Sequence, residues 1–269
     1  MLVQLTDLHL REPGRLACGR IDTASHLRTA VASVLRLRQQ PQAVVITGDL
    51  AESGGAAEYA HLADLLAPLA MPVYLLPGNH DDREQLRRSF PHHHWLAGEG
   101  GFIQYAVQVG GLRLVTLDTC EPGQPHGTLD APRLQWLDRE LQGCTEQRVV
   151  IAMHHPPFRT LIGHMDDAGL LQGAAELEAI VARHPNVERV ICGHLHRAID
   201  VRFGGTIACT TPSCAHQAAL DLDPRAAPRW VYEPPGFRVL AQDTDGRVVS
   251  HLAASGAFEG PYPFHATAS

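Results

Sequence analysis

Apolar residues cluster in short runs along the chain, and amphipathic segments of helix length separate those runs. The runs at 2–6, 43–47, 73–76, 148–153 and 188–192 are rich in Val, Ile and Leu, as strands buried on both faces require. Between them, helices are predicted over 23–38 with Asp22 as N-cap, over 56–69, and from Asp130 and Pro132 to Gln142, where Gly143 closes the last turn. Segments 103–109 and 112–118 flank Gly110-Gly111, a two-residue hairpin signal. Gly204-Gly205 repeats the device between 200–203 and 206–210, and Asp245-Gly246 does so between 237–242 and 247–252. Strands joined through helices, with hairpins mixed in, predict an α/β fold. Residues 223–236 carry four prolines and read as an extended loop. Gly260-Pro261-Tyr262-Pro263-Phe264 is too apolar for a solvated tail and is expected to dock, whereas His92-His93-His94 reads as a solvated loop rather than a metal site.

The 269 residues are 45% hydrophobic and 19% charged, which suits one large domain with a substantial core. Twenty-two Lys and Arg against 29 Asp and Glu leave a formal charge of −7, which argues against a surface for duplex nucleic acid. No apolar stretch reaches the roughly 18 residues of a membrane span, and Met1-Leu2-Val3-Gln4-Leu5 is no leader. A cytoplasmic protein without a membrane partner is therefore expected. Six cysteines with no Cys-x-x-Cys pair read as reduced thiols. The outlying count is 17 histidines, whose positions decide whether they signal metal and acid–base chemistry.

In α/β sheets ligands gather at the carboxyl ends of strands, and five predicted strands end in metal-ligating residue types. They run into Asp7-Leu8-His9, Gly48-Asp49, Gly78-Asn79-His80-Asp81, His154-His155-Pro156-Pro157 and Gly193-His194-Leu195-His196. Each motif alone is ordinary turn chemistry. Together they put carboxylates, an amide and imidazoles at one end of five buried strands, which points to a metal site. In extended or loop backbone, residues i and i+2 point the same way, so Asp7 with His9, and His194 with His196, can each aim two ligands into one cleft. Gly48, Gly78 and Gly193 let the backbone turn sharply and pass close to an ion. A donor set of N and O without thiolate favours Mn, Fe, Zn or Co over soft metals and over Mg alone.

Taken in this order, the motifs resemble those of the calcineurin-like metallophosphoesterases, from Met1 to about His196. Pro77-Gly78-Asn79-His80-Asp81-Asp82, His154-His155-Pro156-Pro157-Phe158 and Pro212-Ser213-Cys214-Ala215-His216-Gln217 resemble the bacterial branch of glycerophosphodiesterases and class III cyclic-nucleotide phosphodiesterases. The resemblance implies a four-layer α/β/β/α sandwich. Residues 1–196 would form its binuclear core, and 197–269 would complete the same domain with a C-terminal β-hairpin region that caps the site and builds a homo-oligomer, at least a dimer. It further implies Asp7, His9, Asp49 and His196 on one ion and Asp49, Asn79, His154 and His194 on the other. Asp49 would bridge the two ions, for which Mn or Fe is favoured.

His80 is implied to reach the phosphoryl or leaving-group oxygen, and Asn79, His80 and His216 to contact substrate. The implied reaction is metal-dependent hydrolysis of a small phosphodiester, a glycerophosphodiester or a 3′,5′-cyclic nucleotide, by in-line attack of a hydroxide held between the ions. A phosphomonoesterase is the near alternative and a non-catalytic metal-binding scaffold the distant one. Two divalent ions, two carboxylates and one hydroxide sum to about +1, which suits an anionic diester despite the negative chain. Asp81 reads as the cap of a helix over 82–90, and His155 as a structural neighbour of a ligand. Residues 163–166 read as a wall of the site or a simple turn, and Trp95, Trp136 and Trp230 as packing residues.

Overall fold

The computed structural model describes residues 1–98 and 101–265. Its first half runs β1 (Leu2–Leu5), α1 (Thr23–Leu35), β2 (Ala43–Thr47), α2 (Ala56–Leu66), β3 (Val73–Leu76), α3 (Arg83–Ser89), a 3-10 turn (His94–Ala97), β4 (Tyr105–Val109), β5 (Leu112–Leu117), β6 (Gly127–Thr128) and α4 (Ala131–Gln142). The second half runs β7 (Arg148–Met153), α5 (Gly163–Asp166), β8 (Leu170–Gln172), α6 (Ala174–Arg183), β9 (Val187–Cys192), β10 (Ile199–Phe203), β11 (Thr206–Thr210), β12 (Gln217–Ala218), β13 (Trp230–Val231), β14 (Gly236–Gln242) and β15 (Val248–Ala254).

One sheet has the order β15-β14-β1-β2-β3 and the other β10-β11-β9-β7-β5-β4. Within them β1, β2 and β3 are parallel, as are β5, β7 and β9. The sheets stack face to face because strand residues alternate sides. On β7, Val150 and Ala152 join the core shared with the first sheet, while Val149, Ile151 and Met153 pack with Leu137 and Leu141 of α4 and Leu177 and Val181 of α6. Leu27, Ala30, Val31 and Val34 of α1 bury their helical stripe on the first sheet. The layers thus run helix, sheet, sheet, helix, and each fully buried Val or Leu among them stabilises by roughly 1.5–3 kcal/mol. Gln4 ties the sheets together: its Nε2 donates to Thr47 Oγ1 and to the Cys192 carbonyl, each at 2.9 Å, and its Oε1 accepts from Thr211 Oγ1 at 2.7 Å.

Asp22 and Asp130 cap α1 and α4, accepting from Ser25 N at 3.0 Å and Arg133 N at 3.1 Å, contacts typically worth about 1 kcal/mol each. Two expectations are corrected and one helix is unforeseen. Helix α6 was not among the predicted helices, because its N-cap is Gly173 in left-handed backbone rather than a side chain that signals a start. The proline-rich stretch expected as loop contains β13, which pairs with β12. Tyr262 and Phe264 are 69% and 103% exposed, so the apolar C-terminal segment stands in solvent instead of docking within the chain. All six cysteines are free, as expected. No helix among the described residues is long and apolar enough to cross a membrane.

Candidate metal centre

The carboxyl ends of β1, β2, β3, β7 and β9 converge, and the loops that leave them are laced together. Asp7 N donates to the Gly48 carbonyl at 3.1 Å, His9 N to the Asp49 carbonyl at 2.9 Å, and Gly193 N to the His154 carbonyl at 3.0 Å. His194 N donates to the Asp7 carboxylate at 2.9 Å, which joins the two sheets at the site.

Among the described residues, seven with side chains adopt positive φ, and five of them are Asp7 (52°), His9 (44°), Asp49 (49°), His194 (69°) and His196 (49°). Such backbone costs roughly 1–3 kcal/mol per residue and persists where the surroundings impose it. Here it turns each strand end sharply enough for both members of an i, i+2 pair to enter one cleft. Gly48 is left-handed too, at φ +91°, and a Cβ there would strike the His154 ring. At Gly78 the constraint is close approach, since a Cβ would strike the Asp49 carboxylate.

Two groups of ligand atoms result, buried except at the half-buried Asn79. In the first, Asp7, His9, Asp49 and His196 converge, with His9 Nε2 3.0 Å from His196 Nε2, 3.4 Å from Asp49 Oδ2, and His196 Nε2 3.6 Å from Asp7 Oδ1. In the second, His154 Nε2 lies 3.1 Å from Asn79 Oδ1, 3.2 Å from His194 Nδ1 and 3.4 Å from Asp49 Oδ1. Metal–ligand bonds of about 2.0–2.2 Å put neighbouring donors about 2.8–3.6 Å apart, so both spacings fit an ion.

The protonation pattern fits as well. The outward nitrogens of three rings are held: His9 Nδ1 by Glu52 Oε2 at 2.9 Å, His154 Nδ1 by the Thr47 carbonyl at 2.8 Å, and His196 Nδ1 by the His216 carbonyl at 2.9 Å. Such partners fix which nitrogen of each ring faces inward, where it can bind a cation in place of a proton. Burial works against charge on His9, yet its hydrogen bond to Glu52 and the Asp49 and Asp7 carboxylates push it up to about 9. Burial, then the charges of His154 and His9, hold His196 and His194 differently: both are pushed down to about 3, with His9 the chief neighbour of His196 and His154 of His194. Burial and the neighbouring Asp49 charge push Asp7 up to about 6, although His154 opposes the shift. The centre is thus a pair of metal-ligand clusters that meet at Asp49.

The remaining sequence candidates gather around these clusters. The His80 ring lies edge-on to His9 at 4.7 Å, and its backbone N donates to Asp49 Oδ1 at 3.0 Å. The His216 ring lies 4.6 Å from that of His196 and 5.7 Å from that of His9. His155 is buried with both ring nitrogens engaged, Nδ1 with Thr119 Oγ1 at 2.8 Å and Nε2 with the Pro125 carbonyl at 3.2 Å, which leaves it no lone pair for an ion. Asp81 is corrected: Asp82 caps α3 through Gln85 N, while the Asp81 carboxylate accepts from Gly78, Leu50 and Ala51 backbone N–H groups and from the Tyr59 hydroxyl. Trp230 is also more than packing, because it lines a cavity beside His194, His196 and His216. Sequence reasoning missed Glu52, since a Glu in a turn three residues after Asp49 carries no signal of its own. It likewise missed Arg83, whose two-pronged pairing with Asp118 at 2.6 and 2.8 Å anchors the loop that carries Asn79 and His80.

A family model described as calcineurin-like phosphoesterase matches residues 1–198. The chain belongs to the calcineurin-like phosphoesterase family. Among its phosphoesterase relatives, an Arcobacter nitrofigilis protein named "Probable glycerophosphodiester phosphodiesterase GpdQ" is 32% identical over 98% of this chain and 97% of its own. A Rhodopseudomonas palustris protein named "Probable cyclic nucleotide phosphodiesterase RPA0124" is 35% identical over 96% of this chain and 93% of its own. A dimetal phosphatase from Danio rerio shares the fold, with a TM-score of 0.65 at 16% identity over 95% of this chain and 98% of that one. This phosphoesterase therefore combines its family's sandwich with two clusters of side chains that could hold metal ions.

Proposed function

We propose that this chain is a two-metal phosphodiesterase acting on a small phosphodiester. The observation that carries the reading is the Asp49 carboxylate, whose Oδ2 turns toward His9 and Oδ1 toward His154, each at 3.4 Å. On this reading Asp7, His9, Asp49 and His196 hold one ion, and Asp49, Asn79, His154 and His194 the other. The ions would supply Lewis-acid activation of water and neutralise charge at the phosphoryl group. Oxygen and nitrogen donors without thiolate favour Mn or Fe, with Zn or Co next.

The chain's own groups position and protonate. The Glu52 carbonyl accepts from His80 Nδ1 at 2.9 Å, which leaves Nε2 as the nitrogen that, in the protonated ring, would donate to the oxygen that gains charge as the ester bond breaks. Burial, then His196 and His9, push the His216 pKa down to about 3, so this ring meets a substrate as a neutral hydrogen-bonding group. The names of the relatives include glycerophosphodiester and cyclic-nucleotide enzymes, and the same substrate range is proposed here, with a phosphomonoester as the alternative.

The test is hydrolysis of bis(p-nitrophenyl) phosphate beside p-nitrophenyl phosphate by protein stripped of metal and reloaded with Mn²⁺. Mn²⁺-restored activity biased to the diester is expected. A monoester bias would favour the phosphatase alternative, and no turnover with any reloaded metal would overturn the reading.

Self-association through the C-terminal region is part of the same proposal. Strand β15 is the outer edge of its sheet and exposes Val249 and Leu252, and Phe258 follows at 68% exposure. Light scattering that gave a monomer at every concentration would exclude it.

A further inference from the structure

Next to the ligand clusters lies a cavity of about 260 Å³, below the roughly 300–1,000 Å³ of sites for drug-sized ligands. Its walls are Met165, Ala218, Pro228 and Trp230, and it opens on His216 and on the ligands His194 and His196. Trp230 is a braced wall. It pairs with Ala218 across β12 and β13, its ring stands edge-on to His216 at 5.7 Å, and Tyr232 stands edge-on to it at 5.0 Å. Arg197, next to His196 in the chain, holds β12 and the segment that follows β13 by donating to the Ala218 carbonyl at 2.6 Å and pairing with Glu233 at 2.7 Å.

The polar groups of this cavity are few and specific. His164 Nδ1 and His216 Nδ1 are buried without a partner in the chain, a state that buried polar atoms seldom keep unless something else bonds them. The charged residue of the lining, Arg229, is paired with Asp221 at 3.3 Å. A glycerol arm, with a hydroxyl on every free carbon, would lose its hydration against Met, Pro and Trp side chains and find few partners. A flat heteroaromatic ring offers those walls an apolar face and offers the His164 and His216 rings, which line the cavity, its polar edge.

We infer that this cavity is a base-binding subsite formed by Trp230, Met165 and the His164 and His216 rings, so that the preferred substrate is a nucleotide diester rather than a glycerophosphodiester. The inference rests on the phosphodiesterase reading for its reaction, but the subsite itself is tested by binding. Equilibrium dialysis of Mn²⁺-loaded protein would compare 5′-AMP with glycerol 3-phosphate, two product-like monoesters that share a phosphate and differ in the organic arm. Turnover of 3′,5′-cyclic AMP and glycerophosphoethanolamine would be measured alongside.

The wild type is expected to favour AMP by about tenfold or more, Trp230→Ala to cut that preference about tenfold, and Trp230→Phe to keep most of it, as base stacking predicts. Met165→Ala, on a different segment, gives a second test if Trp230→Ala does not fold, with an expected loss of several-fold. Equal weakening of both ligands by both variants would make these residues structural and overturn the inference, as would a wild-type preference for glycerol 3-phosphate. AMP binding that depends on Trp230 without turnover of any diester would keep the subsite and remove the phosphodiesterase reading. Diester turnover without an AMP preference would do the reverse.

Discussion

His9 Nε2 and His196 Nε2 face each other across 3.0 Å, although 187 residues separate them in the chain. Glu52 holds the other nitrogen of the first ring and the His216 carbonyl that of the second, so the two inward nitrogens meet where a cation can sit in place of a proton. Removing metal should therefore destabilise the fold. An ion present at 100 times its dissociation constant adds about 2.7 kcal/mol, which for a chain of this size corresponds to about 5–10 °C in Tm. Calorimetry with a chelator and then with Mn²⁺ reads the shift, and an unchanged midpoint would contradict a bound ion.

Metal uptake should also release protons. Burial works against charge on both His9 and His154, yet Glu52 with Asp49 and Asp7 around the first, and Asp49 with Asp7 around the second, push each up to about 9. In metal-free protein at pH 7 both rings thus hold a proton that a ligand nitrogen must lose. Binding at pH 7 is expected to release about two protons from these rings, and apparent affinity should climb with pH until about 9 and then level off. Titration calorimetry in two buffers of different ionisation enthalpy counts the protons; a count near zero at pH 7 would refute the assignment.

Glu52 acts on the first cluster through His9. Glu52→Ala frees the His9 ring to rotate and to change tautomer, so affinity for metal should fall about 10- to 100-fold. Competition with a chelating dye measures it, and unaltered affinity for both ions would mean that packing alone orients His9.

His80 touches both Glu52 and Asp49 yet lies outside the two proposed coordination sets. His80→Ala should lower kcat about 10²- to 10⁴-fold with two ions still bound per chain by elemental analysis. Loss of an ion in the variant would make His80 a ligand instead of the proton donor.

Asp81 clamps the loop that carries Asp49, accepting from Gly78 N at 2.8 Å, Leu50 N at 3.0 Å, Ala51 N at 3.1 Å and Tyr59 Oη at 2.9 Å. Asp81→Ala strands these donors, each at a cost of about 1–3 kcal/mol when left unpaired and buried. Relaxation and water would recover part of that, so a loss of about 3–5 kcal/mol in urea unfolding is expected. A change below the noise of the extrapolation would show that the loop holds without the clamp.

The reading of Asp81 shows where local pattern stops being informative. Asp81 and Asp82 are equivalent as cap signals, and only the direction in which the chain enters α3 turns one outward to Gln85 and the other inward to the Asp49 loop. Helix α1 was expected to reach residue 38 but stops at Leu35, because Gln40 Nε2 takes the Leu35 and Leu37 carbonyls at 3.0 and 2.7 Å and closes the end from outside the helix. The strands were legible because a strand buried on both faces must be a continuous apolar run, whatever it packs against.

The sequence by itself determined which residues carry ligand chemistry and which strand end each one follows, since residue type and apolar patterning are local properties. Tertiary structure decided which ligands meet, that Asp49 faces both clusters, that Glu52 steadies His9, and that Trp230 walls a cavity at the site. Those relations join segments about 40 to 190 residues apart, and the distance across such a gap is set by how two sheets pack and how left-handed turns leave their edges. No local preference encodes that distance, because the energy that fixes it comes from burying side chains contributed by the whole chain.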